Sequence, residues 1–84
     1  MALIKLSELS YGQTAALKEI KINGIQRRRL LDFGFIKDSE IRVAQRSPLG
    51  DPTAYWIKGA LIALRKEETD HIFVEIIKHD KVNL

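Results

Sequence analysis

The side chains best suited to chemistry in this 84-residue chain are Glu67, Asp70 and His71, with His79 and Asp80 one strand further on. Carboxylates and imidazoles are the oxygen and nitrogen donors that divalent cations take, but this spacing matches no strong ligand motif. A solvated turn and a polar tail explain the same residues equally well. No metal ligand set and no cofactor-binding residue is therefore assigned, and transient transition-metal binding is left open. There is no cysteine, which excludes disulfides, thiolate metal sites and a thiol nucleophile, and fits a reducing compartment. No glycine-rich loop leads into a Gly-Lys-Ser/Thr helix start, so nucleotide hydrolysis by that route is excluded. The serines have no evident base and orienting carboxylate. The expectation is a non-enzymatic protein with no catalytic residue.

A second chemistry is nucleic-acid binding by a basic groove with stacking aromatics. Arg27, Arg28, Arg29, Arg42 and Arg46 could supply charge, and Tyr55 and Trp56 could stack. Against this, the arginines are interspersed with acids such as Asp32 and Glu40. Tyr55 and Trp56 are also neighbours on a strand and point to opposite faces, so both cannot stack on one nucleic-acid strand. The net charge of +3, from 14 basic and 11 acidic side chains, permits an acidic partner without demanding one. No nucleic-acid partner is assigned.

The third chemistry is docking. Residues 46–59 hold both prolines, the single tryptophan and two of the five glycines. Pro48 and Pro52 each fix their own φ and push the preceding residue toward extended backbone. Between them Gly50 can take a positive φ, and the Asp51 carboxylate can bond nearby amides. Such a corner is either a structural turn or a displayed surface. If Tyr55 and Ile57 face the interior, Trp56 lies outside beside Pro48 and Leu49, an apolar patch of the kind that docks partners. The opposite assignment, Trp56 inside and Tyr55 outside, is the alternative. The partner-binding candidates are Pro48, Leu49, Asp51 and Trp56, with Arg28 and Arg29 from the helix.

These residues are carried by short strands and one helix. Leu6 and Leu9 flank one turn of helix or a tight bend, followed by a turn at Tyr11-Gly12-Gln13. Residues 14–22 read as a strand with imperfect alternation, Ala16, Lys18, Ile20 and Ile22 on one side and Ala15 and Leu17 on the other. Residues 23–35 read as a helix. Asn23 is its N-cap with Gln26 as capping-box partner, and Gly34 ends it in the left-handed conformation with Phe35 folding back on Leu30. Leu30, Phe33 and Leu31 gather toward its apolar side, Arg28, Arg29 and Asp32 lie opposite, and Arg27 runs its stem along the edge. Ile41 and Val43 alternate with Glu40 and Arg42 up to the corner. Tyr55 and Ile57 follow it, Lys58-Gly59-Ala60 reverses the chain, and residues 61–65 form another strand. Residues 66–70 make a polar connection, one helical turn at most. Ile72, Val74 and Ile76 line the inner face of a last strand, and residues 78–84 form a frayed tail. This is a mainly β fold: a small, partly open, five-stranded SH3-like barrel with one short helix after the first strand. It occupies residues 1–84 as a single domain, with no repeats or linkers. No apolar run approaches the roughly 20 residues of a membrane span, and residues 1–10 lack a signal-peptide pattern. The chain is expected to be soluble and cytoplasmic.

The ordered set of Leu6-Ser-Glu-Leu9 with Gly12-Gln13, Arg28-Arg-Leu-Leu-Asp-Phe-Gly-Phe35, Ser47-Pro-Leu-Gly-Asp-Pro52, Ala54-Tyr55, Gly59 and Leu61-Ile-Ala-Leu-Arg65 resembles the FeoA family. The resemblance runs from about Leu6 to Val74. It implies an SH3-like barrel, in agreement with the strand reading. It also implies a cytoplasmic accessory of bacterial ferrous iron transport that associates with the cytoplasmic GTPase region of the FeoB transporter, and reaches the membrane only through that partner. Adaptor, regulator and assembly factor are all compatible with it. The resemblance lends Trp56 no role. The alternatives are a small basic nucleic-acid-binding barrel and a metal-sensing regulatory domain. Exposed edge strands in an open barrel also allow a homo-oligomer.

Overall fold

The computed structural model describes residues 2–79. Six antiparallel strands run β1 Ile4–Lys5, β2 Gln13–Ile20, β3 Glu40–Arg46, β4 Thr53–Ile57, β5 Ala60–Leu64 and β6 Ile72–His79, in the sheet order β1-β6-β2-β3-β4-β5. The sheet coils without closing, so the SH3-like, partly open class holds. Two details differ from the sequence reading. Ile4–Lys5 is a strand of its own, pairing Ile4 with Val74 and Lys5 with Phe73. That makes six strands rather than five and puts the helix after the second. Two residues are too short to show a period of two, which is why the alternation could not reveal them. Lys78 and His79 extend β6 instead of starting a tail, because Gln13 and Thr14 of β2 supply them with partners. The remainder of the expected tail, residues 80–84, lies outside the described residues.

The imperfect alternation of β2 also has a cause. This strand is central, between β3 and β6, and its pairing with β6 shifts register between Thr14 and Ala15 and again between Leu17 and Glu19. From Ala15 to Leu17 the pairing is regular, with Ala15 and Leu17 in the core cluster and Ala16 on the other face. Thr14, Ala15, Ala16 and Leu17 are all buried, because a strand flanked on both sides keeps little of either face in solvent.

The interior is closed by Leu6 and Leu9, which bracket a 3-10 turn at Leu6–Glu8, and by the helix α1, Gly24–Asp32. The expected C-terminus forms in full. The Phe35 N–H donates to the Leu30 carbonyl at 3.0 Å, the Gly34 N–H to that of Leu31 at 3.0 Å, and Gly34 has φ +99°. These are the two bonds of a Schellman termination. Leu30 and Phe35, brought together by it, are both fully buried. The rest of the helix reading is corrected. Phe33 and Leu31 are each 40% exposed, because the reversal at Gly34 delivers Phe35 to the space an apolar stripe would otherwise fill. Asn23 stands at the N-cap position with no side-chain capping bond. Arg27 turns back along the core edge, as its position in the helix suggested, and donates to the Ile20 carbonyl at 2.7 Å.

Gly34→Ala tests that termination. The left-handed φ costs an ordinary residue roughly 1–2 kcal/mol. The new Cβ would sit 3.1 Å from Lys58 Cδ, a flexible neighbour that can move aside. Urea denaturation should therefore show a loss of about 1–2 kcal/mol from the backbone alone.

Candidate docking face at the proline corner

The corner between β3 and β4 is built by local bonds and then fastened at three places. The Gly50 N–H donates to the Ser47 carbonyl at 2.8 Å with Gly50 at φ +85°, and the Ser47 N–H donates to the Pro52 carbonyl at 3.2 Å. The Asp51–Pro52 peptide is cis. Asp51 Oδ1 accepts the Lys66 N–H at 2.8 Å, which ties the loop to the single-turn helix α2, Lys66–Thr69. At the other end the Arg46 N–H donates to the Tyr11 hydroxyl at 2.7 Å, and its guanidinium donates to the Leu9 carbonyl. A loop held from two sides is a structural turn, yet its tip is on display: Leu49 is 94% exposed. The corner is both.

Beyond it the strand resolves the two aromatics. Tyr55 is 1% exposed and Trp56 is 43% exposed, so the tyrosine anchors the core and the tryptophan faces out. Trp56 does not stand alone. It lies opposite Leu61 of β5, which is 54% exposed, and Ala54 lies opposite Ala63 in the next row. Pro48 and Pro52 line a shallow depression with Ala54 and Ala63. The result is a continuous apolar strip from the corner along the outer face of β4 and β5. Leu61 was missed by sequence reasoning, although the signal was present: a two-residue turn at Lys58-Gly59 pairs 57 with 60 and therefore 56 with 61. Tyr11 as the anchor of Arg46 had no sequence signal, since the two residues are 35 positions apart.

The charged candidates are placed separately. Arg29 pairs with Glu68 of α2 at 3.3 Å, so α2 links the helix on one side and Asp51 on the other. Arg28 is exposed and makes no ion pair among the described residues. Around Trp56 the groove is lined by Arg42, Lys58 and Lys78 with Glu40 as the one carboxylate, giving this end of the strip a positive character.

Several residues considered for the two other chemistries are engaged within the fold. Among the described residues no three His, Asp or Glu side chains come together to hold a metal. Asp70 is engaged elsewhere, accepting from the Ser7 hydroxyl at 2.5 Å and from Lys66 Nζ at 3.0 Å, and these bonds hold its carboxyl below the usual range. Asp80 lies outside the described residues. For a nucleic acid, Tyr55 is unavailable for stacking, and Arg27, Arg29 and Arg46 are each committed to a bond within the fold.

Burial raises the Tyr55 phenol above its ordinary value of 10.0. The unfolded chain then loses this proton at lower pH than the folded one, so stability is intact below pH 10 and falls as pH rises beyond it. Melting curves between pH 9 and 11 should show this decline, and Tyr55→Phe should flatten it.

The family profile described as FeoA domain matches residues 4–76. A curated relative, the Fe(2+) transport protein A/Fe(2+) transporter FeoB fusion protein of Porphyromonas gingivalis, is 38% identical over 74 residues, or 88% of this chain and 9% of that protein. Iron(II) transport protein A from Clostridium thermocellum superposes with a TM-score of 0.83 at 39% identity, covering 88% of this chain and 46% of its own. FeoA of Stenotrophomonas maltophilia, solved with zinc and described as a prokaryotic SH3 domain protein, gives a TM-score of 0.71 at 29% identity, over 86% of this chain and 89% of its own. The chain thus spans under a tenth of the fusion protein and under half of the Clostridium structure. Among the described residues no helix is long and apolar enough to cross a membrane.

Proposed function

This chain belongs to the FeoA family, and on that premise we propose that it is a non-enzymatic cytoplasmic accessory of ferrous iron transport that docks on the FeoB transporter. The observation that carries the reading is the Porphyromonas protein, in which a segment similar to this chain shares one polypeptide with FeoB. Two domains encoded in one chain are held at a high effective concentration. Where they are separate, a docking surface must supply what the linker provides. The outer strip of Pro48, Leu49 and Trp56 has the properties such a surface needs, being apolar, exposed, and mounted on a corner that is fastened down rather than loose. Asp51 serves by holding the corner in place. Arg28 and Arg29 sit on the helix as a second, charged contact, with Arg28 the more available.

Docking to the cytoplasmic GTPase region lets the chain act on transport without chemistry of its own and without touching the membrane. Iron, in this reading, is the transporter's cargo rather than a resident of this fold. Titration of the purified chain with the cytoplasmic region of FeoB, with and without guanine nucleotide, is expected to give saturable binding. Failure to associate in either condition counts against the proposal.

A further inference from the structure

We propose that the free edge of β5 accepts an extended segment of the FeoB cytoplasmic region as an added strand, one with alternating apolar side chains and acidic residues at its ends. This rests on the reading that the chain docks on that transporter, and goes further by naming the edge, the backbone groups and the kind of segment.

β5 is the last strand of the sheet, and among the described residues no strand pairs with its outer side. The turn into it has two residues, Lys58 at φ +49° and Gly59 at φ +76°, so Ile57 and Ala60 close the hairpin as a hydrogen-bonded pair. Bonded and non-bonded pairs alternate along an antiparallel ladder. Ile62 and Leu64 therefore direct their N–H and C=O groups to β4, while Leu61 and Ala63 direct theirs to the open edge. The same two residues carry exposed side chains on the outer face, Leu61 beside Trp56 and Ala63 beside Ala54. An arriving strand meets a backbone ladder and an apolar row at one place. The usual means of blunting an edge are a charge, a proline or a bulge. None lies within Ala60–Leu64. The opposite edge is different, since β1 is only two residues long and contains Lys5.

Charge selects the occupant. Lys58 at one end of β5 and Arg65 at the other are both exposed, and Arg42 lies opposite Trp56. A second copy added antiparallel about Ile62 would bring the Lys58–Gly59 turn of each against Arg65 of the other, and like charges brought together are destabilising. A strand that ends in aspartate or glutamate meets those cations favourably. The edge is therefore read as an acceptor for a foreign, acidic-ended strand and not as a dimer seam.

Amide hydrogen exchange followed by NMR on the labelled chain tests this. In the free protein the Leu61 and Ala63 amides should exchange fast, and those of Ile62 and Leu64 slowly. Two probes are added separately: the cytoplasmic region of FeoB, and a capped heptapeptide of alternating valine and threonine with an acidic residue at each end. Either probe should slow Leu61 and Ala63 exchange by about tenfold or more. Ala63→Pro removes the edge N–H at a position where a sheet tolerates proline, and should weaken FeoB binding by about tenfold, whereas Ala63→Ser, which keeps the N–H, should not. Binding of FeoB with no slowing at Leu61 and Ala63 overturns the edge assignment and leaves docking intact. Slowing by the peptide without FeoB binding overturns docking on FeoB and keeps the edge as a strand acceptor. Slowing by neither overturns the edge proposal outright.

Discussion

Phe35→Ala is expected to lower the free energy of unfolding by about 3–5 kcal/mol. For a chain of this length the whole stability is on the order of 4–13 kcal/mol, so the variant loses a large share of it and its urea midpoint should collapse. The effect is large because the helix is attached so narrowly. Every residue of α1 except Leu30 is exposed, and Phe35 supplies the second buried contact from just past the Schellman turn. Removing it leaves a void beneath the helix and takes away the contact that Gly34 exists to deliver. Phe33→Ala is the control. That side chain is 40% exposed, and its loss should cost no more than about 1 kcal/mol. Equal effects at the two positions would mean that the helix packs by an ordinary apolar stripe after all.

The same two phenylalanines show what can be read from the sequence and what cannot. Gly34 followed by an apolar residue is a local signal, carried by backbone chemistry within six residues, and it is legible. The burial of Phe33 is misjudged because a helical period counts positions on one cylinder and cannot see a residue that returns beneath it. The corner follows the same division. Pro48, Gly50 and Pro52 dictate a turn locally, but its anchoring by Tyr11 and by α2 depends on contacts 35 and 15 residues away in sequence. The outward turn of Trp56 needs only the period of two and the correct phase. That phase is set by Tyr55 and Ile57, and both are buried. The placement of Asp70 follows the same division. Glu67, Asp70 and His71 are close in sequence, yet the bonds from Ser7 and Lys66 direct Asp70 to the fold's own use.

Trp56→Ala should separate stability from docking more sharply than any other change. Half-exposed on an outer face, Trp56 gives up little on truncation in the free protein, and the melting temperature should shift by only a few degrees. In a complex the same indole is the largest apolar group on the strip, flanked by Leu61 and rimmed by Arg42 and Lys58. A tryptophan in the centre of an interface is commonly worth about 2 kcal/mol or more, which corresponds to a loss of roughly 30-fold in affinity for the FeoB cytoplasmic region. Leu49→Ala, at the tip of the fastened corner, should weaken binding less, because a side chain so far from the strand lies at the rim, where contacts contribute little. Tyr55→Ala, one residue from Trp56 but facing inward, should instead unfold the chain. If Trp56→Ala lowers stability by several kcal/mol, the indole belongs to the core and the strip is misplaced; if it leaves the titration unchanged while Arg28→Glu abolishes it, the docking surface is the helix and not the strip. The contrast between adjacent residues is what makes the experiment decisive, since two large aromatics on one strand occupy opposite faces, one buried and one exposed.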